Sequence, residues 1–503
     1  MTGAELFVER LQALGVEWIA TLCGHGLDPL FDACRRAGLR LVDTRNEQAA
    51  SYMADAWGKL TRRPGVAASS SGVAHVNALA GLVNAFFDGT PMLLVTGSAE
   101  LATMGRGHFQ DLDQVALAAP VSKLARLIGG PDSVAEAVDE AFAAAIAPRP
   151  GPVHLTFPMD AQRGAVTIDP PPPRPAPQPS AAPAPKLPDA ERPLLIAGSG
   201  VFHAGRQEAL ARFCRQCAVP VVVPIWDRGP IDRPIPEFLG VIGAASGGPR
   251  LLADADLVLL CGAQPDYRVG YGDPRFRSLA PEQLDSARLR PRPEWLAEAR
   301  RRRDQFQRDF LSAAQASRRA GLHALDIVAA LREVLTDDLA LLIDGGSIGQ
   351  WIHQLLCDRY PGHWLTCGAS GVVGWGLPGA MAARLRYPDR PVILVSGDGA
   401  LTFTIAELES AARQRLPFVV VVADDQAWGI TRAGHQRQFG QPMASDLGPI
   451  DFAGLAESLG ARGGRVQQAD QIAAAIRDGL GAGCPTVIHV PIQGGNDVPV
   501  IPT

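Results

Sequence analysis

Cysteine is scarce in this chain: eight in 503 residues, spread too thinly for a disulfide framework. The one CxxC, Cys214 and Cys217 in ALARFCRQCAVPVVV, has no second pair and no nearby histidines. It therefore points to packing on an amphipathic helix rather than to zinc. Positive charge is also in short supply. The formal net charge is −5, and an acidic balance without a long basic run is a poor match for nucleic acid. The one exception, Arg300 to Arg303 in WLAEARRRRDQFQRDF, reads as a solvated helix face. No apolar run is long enough to cross a bilayer, so no membrane partner is expected. The opening MTGAELFVERLQALGVEW has neither the basic start nor the apolar core of a secretory signal, and a cytoplasmic location is expected.

What is present is ordinary globular material, 47% hydrophobic and 20% charged, at a length suited to two or three domains. The stretch DPPPPRPAPQPSAAPAPKLPDAERP is proline-rich and nearly free of large apolar residues, so it should run as an extended connector. A second break accompanies RLRPRPEW and the arginine-rich helix. The expected division is 1–165, a linker at 166–189, a small domain at 190–275, a helical connector at 276–322, and 323–503.

Within each block, short β-branched runs alternate with longer amphipathic segments. VEWIATL, RLVDT, GVAAS, PMLLVTG and GPVHLTF read as buried strands of the first block. PLLIAGSG, VPVVVP and LVLLCGA do so in the second; LALLIDGG, PVILVSGDG, FVVVVADD and PTVIHVPI in the third. Alternation of this kind predicts an α/β protein of three doubly wound parallel sheets. Ligands of such sheets sit beyond the carboxyl ends of the strands.

Two of those strand ends carry unusual chemistry. PVILV runs into Ser396-Gly397-Asp398-Gly399-Ala400 at a helix start, where glycines and the helix dipole would suit a phosphate. An aspartate in the middle of that loop would repel a phosphate unless a divalent cation lay between them. One strand on, FVVVV ends in Asp424 and Asp425, followed by Gln426, Ala427, Trp428, Gly429 and Ile430. Neighbouring parallel strands would bring Asp398 and Asp425 together as two oxygen ligands for Mg²⁺, with a diphosphate completing the shell.

The segment GDGALTFTIAELESAARQRLPFVVVVADDQAWG resembles the signature of thiamine-diphosphate enzymes, except that aspartates replace the paired asparagines. The resemblance implies a Mg²⁺ site from Asp398, Asp425 and the Ala427 carbonyl, with Asp424 outside the ligand set. Gly397, Gly399, Ala400, Trp428, Gly429 and Ile430 would line the cofactor. A first-block segment, LRLVDTRNEQAASYMADAWGKLTRRPGVAASSSGVAHVNALAGLVNAFFDGTPMLLVTGSAE, resembles the pyrimidine-binding domain of the acetolactate synthase and benzaldehyde lyase group. It places the family's glutamate at Glu47, which promotes the imino tautomer that generates the thiazolium ylid. Further matches place a substrate-facing glutamine at Gln110, the glycine-rich turn beside the aminopyrimidine at Gly72, and the aliphatic wedge under the cofactor at Val373.

His25, in TLCGHGLDPLF, aligns with the family's pocket-lining first loop and would lie near the reacting carbon; the alternative is a hydrogen-bonded turn residue. Pocket positions of the lyase fall on Gly26, Gly349, Met159 and Cys367, so its pocket is not reproduced. The middle block lacks both a regular GxGxxG and the usual strand after CGAQPDYRVGYGDPRF. A trimmed central domain without FAD is therefore expected, as is a tail without a C-terminal lid. The implied activity is a carboligase or decarboxylase acting on a small 2-oxo acid. The alternatives are a 2-hydroxy ketone lyase and a cofactor-binding regulatory paralogue. A homodimer or homotetramer is implied, with sites shared across the interface.

Overall fold

The computed structural model describes residues 1–172, 183–227, 229–357, 364–493 and 498–501. Positions 173–182 of the proline-rich connector lie outside the described residues. Three all-parallel sheets carry the fold. The first contains β1 (Trp18–Thr21), β2 (Arg40–Asp43), β3 (Gly65–Ser69), β4 (Met92–Ser98), β5 (Leu124–Leu127) and β6 (Pro152–Pro158), in the order β2-β1-β3-β4-β6-β5. The second contains β7 (Pro193–Ala197), β8 (Val221–Pro224), β9 (Phe238–Ile242), β10 (Leu257–Cys261) and β11 (Phe276–Leu279), in the order β11-β10-β7-β8-β9. The third contains β12 (Ala340–Asp344), β13 (Trp364–Thr366), β14 (Val392–Gly397), β15 (Val419–Asp424), β16 (Arg462–Arg465) and β17 (Thr486–Pro491), in the order β13-β12-β14-β15-β17-β16.

The first and third sheets thus share one strand order. In each, the chain leaves its first strand to one side and then crosses to the other. This puts the topological switch point between β1 and β3 in the first sheet and between β12 and β14 in the third. The continuous valine runs of β14 and β15 are buried because helices cover both faces of a parallel sheet.

The chain divides into two compact units. The first is Met1–Gln178 with Leu377–Arg386 and Glu409–Gln414; the second is Pro179–Gly376, Tyr387–Leu408 and Arg415–Thr503. In the first unit, Phe7 stacks on Phe157 at 5.1 Å within the core beneath the sheet. In the second, one apolar core runs continuously from β7, β8 and β10 to β12, β14 and β15.

The structure corrects two expectations. A strand does follow β10: Phe276–Leu279 pairs in parallel with it, so the central sheet keeps five strands. Its sequence, FRSL, carries an exposed arginine and serine and therefore reads as loop. The arginine-rich segment is one 24-residue helix, Pro293–Ala316, anchored in the core by Phe306 and Phe310. Its arginines are not all solvated: Arg302 bridges Glu298 and Asp254 and lies 5.5 Å from the Trp295 ring. Cys214 and Cys217 are buried in helix Gln207–Cys217, and no group of three metal-ligating side chains occurs among the described residues.

Candidate active site

Ten of the residues singled out in the sequence line a single pocket of about 200 Å³ at the switch point of the third sheet. They are Val373, Gly397, Asp398, Gly399, Ala400, Asp425, Ala427, Trp428, Gly429 and Ile430. The sheet register explains the meeting. Ser396 pairs with Val422 and Gly397 with Ala423, so the loops after β14 and β15 leave the sheet side by side. A third loop, missed by sequence reasoning, adds Gly345, Gly346 and Ser347 after β12. Gly345 has φ +118°, and a Cβ there would lie 2.8 Å from the Gly397 backbone nitrogen. Only glycine permits that approach.

Close packing inside the pocket explains other glycines. A side chain on Gly399 would meet the Trp428 ring at 2.8 Å. One on Gly429 would lie 2.4 Å from Ser347 Oγ and 2.6 Å from Asp425 Oδ2. The DDQAWG turn is pinned from outside: Trp428 N–H donates to the Ser445 carbonyl at 2.8 Å, and Leu447 N–H to the Gln426 carbonyl at 2.7 Å. Gln426 itself adopts φ +55°, an uncommon conformation for a residue with a side chain.

Two carboxyls meet in this pocket. Asp398 is almost fully buried, and burial together with the charge of Asp425 pushes its pKa up to about 7. Burial likewise raises Asp425 to about 6. The Ala427 N–H pulls both down, which places one backbone donor against two carboxyls. Two oxygen-donor side chains and the Ala427 carbonyl beside a glycine-lined helix start could supply three of the six oxygens of a Mg²⁺ shell, leaving the others to a diphosphate and water. The residues present therefore fit that group.

Asp424 has a different partner. Its Oδ2 lies 2.8 Å from His489 Nε2 on the adjacent β17, with both side chains buried, and its Oδ1 accepts the Gln426 N–H at 3.2 Å. The two aspartates thus divide their work, one facing the pocket and one locked to a histidine.

The remaining candidates belong to the first unit. His25 follows β1 and the Ser70–Gly72 turn follows β3, so both stand at that sheet's switch point. The Ser70 hydroxyl donates to the His25 carbonyl. Gly72, at φ +60°, caps helix Val73–Asp88, and a Cβ there would fall 2.7 Å from that of Gln110. Gln110 takes φ +57°, and its side-chain oxygen accepts from Ser71 Oγ at 2.9 Å. The exposed His25 ring lies 5.9 Å from Phe109 and 6.4 Å from His108. Glu47 opens helix Glu47–Thr61, and Asn77 Nδ2 donates to its Oε2 at 3.1 Å. Gln114 accepts the Gly72 N–H and donates to Thr96 and the Gly97 carbonyl, tying this turn to β4. Neither Asn77 nor Gln114 was singled out in the sequence, because their roles depend on contacts between separate elements. Met159 and Cys367 are buried, and Gly349 lies within helix Gly346–Leu355.

Three family models match successive parts of the chain. The N-terminal thiamine pyrophosphate (TPP) binding domain of TPP enzymes matches residues 1–117, their central domain 181–309, and their C-terminal TPP binding domain 344–490. A probable acetolactate synthase of Mycobacterium bovis is 29% identical over 97% of this chain and 95% of its own length. An acetolactate synthase of Bacillus subtilis is 28% identical over 99% and 94%. The acetolactate synthase isozyme 2 large subunit of Escherichia coli is 26% identical over 100% and 98%.

Proposed function

The chain belongs to the thiamine pyrophosphate enzyme family, and from that premise we propose that it is a carboligase or decarboxylase of small 2-oxo acids. The observation that carries this reading is the pairing of Asp398 with Asp425 beside the Ala427 turn, at the switch point of the third sheet. Likeness to acetolactate synthases along nearly the full chain supports the substrate class. When bound, thiamine diphosphate supplies a thiazolium carbon that adds to the 2-oxo group and takes up the electron pair released with CO₂.

The chain's own residues would do the rest. Asp398, Asp425 and the Ala427 carbonyl hold Mg²⁺, while Gly397, Gly399, Ala400, Gly429 and Ile430 give the diphosphate a close backbone approach. Val373 would support the cofactor, and Trp428, packed over Gly399, would close one wall. Glu47, oriented by Asn77, holds a proton against N1′ of the aminopyrimidine. Gln110 and His25 face the substrate, Gln110 as an uncharged hydrogen-bond partner for its carbonyl.

In the central sheet the loops after β7, β8 and β10 bond to one another. Gly200 N–H donates to the Gly262 carbonyl, and the Asp227 carboxylate accepts the Ser199 N–H at 2.8 Å while pairing with the buried Arg268. A carboxylate stands where a nucleotide phosphate would have to bind, which supports a central domain without FAD. An apolar stripe on helix Val73–Asp88, with Val73, Val76 and Phe87 exposed, supports burial against a second copy of the chain.

The test is deuterium exchange at C2 of thiamine diphosphate with Mg²⁺, on wild type and Glu47→Gln. Acceleration over the free cofactor, lost in the variant, is expected, with pyruvate then consumed without an added acceptor. Saturating cofactor binding without acceleration would sink the catalytic reading and favour a regulatory paralogue.

A further inference from the structure

Val373 sits in the loop CGASGVVGWG, five of whose ten residues are glycine or alanine and offer little side chain to hold it. Three contacts hold it. Asp344, the last residue of β12, accepts the Gly376 N–H through Oδ2 at 2.7 Å. Thr404 Oγ1 donates to the Gly374 carbonyl at 2.8 Å. Gly374, at φ +80°, lies so close to Phe403 that a Cβ would approach that residue's Cβ to 2.5 Å. At Gly376 a Cβ would meet Asp344 Cβ and Leu394 Cδ1, each at 2.6 Å. The loop is thus held on both sides of Trp375, by the sheet at Gly376 and by the turn after helix Asp398–Thr402 at Gly374.

Asp344 is an expensive residue for this duty. It is 1% exposed, and its Oδ1 has no hydrogen-bond partner among the described residues. A carboxyl buried with one oxygen unsatisfied costs stability, which a serine or asparagine would largely avoid. Burial pushes its pKa up to about 6 against the pull of the Gly376, Gly374 and Gly345 N–H groups. The residue pairs in register with Ser396, one position before Gly397, so it is anchored to the same rigid strand ends as the metal-site loop. It therefore links the loop carrying Val373 to the loop carrying Asp398.

We propose that Asp344 is a positioning residue of the cofactor site, fixing Val373 through the Gly376 N–H rather than touching the cofactor itself. This rests on the reading of Val373 given above. Asp344→Ala should free the 371–376 loop and weaken thiamine diphosphate binding about tenfold, as loss of an outer supporting contact does. Asp344→Asn keeps an acceptor oxygen for the Gly376 N–H and should stay within about threefold of wild type.

The measurement is the affinity for thiamine diphosphate with saturating Mg²⁺, by calorimetry, on wild type, Asp344→Ala, Asp344→Asn, Val373→Ala and the double variant Asp344→Ala/Val373→Ala. The apo melting temperature is recorded for each. If Asp344 acts through Val373, the double variant binds no more weakly than the worse single variant. Rescue by asparagine separates positioning from a general loss of fold. Wild-type affinity in Asp344→Ala, or multiplying losses in the double variant, would overturn the proposal. A wild-type protein that binds no thiamine diphosphate would instead overturn the functional reading beneath it. If Val373→Ala alone binds like wild type, the wedge reading of Val373 fails and the proposal with it. Should Asp344→Ala fail to fold, Thr404→Val removes the second anchor, and its loss must likewise vanish in the Val373→Ala background.

Discussion

Asp398 and Asp425 are two buried carboxyls brought together at one pocket. Each is raised mainly by burial, Asp398 to about 7 with further repulsion from Asp425, and Asp425 to about 6. Metal binding needs the ionised forms, so protons and Mg²⁺ compete for the same oxygens. Affinity for Mg²⁺ in the presence of thiamine diphosphate should therefore rise about tenfold or more from pH 6 to pH 8 and flatten above it. Titration at fixed cofactor concentration checks the slope. Asp425→Asn, which removes the mutual repulsion, should flatten the pH dependence; an unchanged slope would mean that these carboxyls do not set it.

The neighbouring Asp424 calls for a different experiment. His489 and Asp424 are each other's buried partner at 2.8 Å, so His489→Ala leaves a carboxylate stranded. A loss of about 3 kcal/mol is expected from breaking a buried pair. Asp424→Asn in the same chain should recover part of it, since an amide is cheaper to bury alone. Chemical denaturation of the three variants decides the matter. The meeting of Asp425 with Asp398 was legible from the spacing of two strand ends, whereas the partner of Asp424 was not. Its partner lies 65 residues away on another strand, and no local pattern announces such a contact.

At the scale of elements, the strands missed by sequence reasoning have one thing in common. The unanticipated β5, β9, β11, β13 and β16 are all edge strands, and every interior strand was anticipated. Interior parallel strands must be apolar on both faces and so read as unbroken runs. Edge strands meet fewer neighbours: β16 reads RGGR and β11 reads FRSL, with arginines turned to solvent. The site survived these omissions because both switch points lie between interior strands.

Helix starts carry the same lesson in reverse. Gly429 opens helix Gly429–Phe439 and is required by what surrounds it, since a methyl group would collide with Ser347 Oγ and Asp425 Oδ2. Gly429→Ala should therefore displace Asp425 and weaken Mg²⁺-dependent cofactor binding about tenfold or more while changing the melting temperature little. Calorimetry beside thermal melting separates the two effects. Equal loss of both would assign Gly429 to folding rather than to the site.

At the scale of the whole molecule, the repeated strand order of the first and third sheets is the central fact. Each sheet presents loops at its own switch point, one bearing His25 and Gly72 and the other Asp398 and Gly345. The two sets of residues have different chemistry: a carboxyl held by an asparagine and a glutamine-bearing loop in one, two carboxyls and a glycine cradle in the other. Neither set alone offers both a proton-holding carboxyl for the pyrimidine and a metal site for the diphosphate. This division motivates the proposal that a working site joins Glu47 of one copy to Asp398 of another. The exposed apolar face of helix Val73–Asp88, whose Asn77 holds Glu47, is consistent with such a junction. If so, Glu47→Gln and Asp398→Asn should each be inactive alone yet complement one another when subunits are exchanged. In a mixed dimer, one site receives both lesions and the other receives neither. An equimolar mixture at exchange equilibrium would then recover about a quarter of wild-type turnover, because half the dimers are mixed and each has one intact site. Recovery after denaturation and co-refolding, with no recovery in either variant refolded alone, is the expected outcome. Persistent inactivity of a mixture shown by mass spectrometry to contain mixed dimers would place both residues of each site in a single copy.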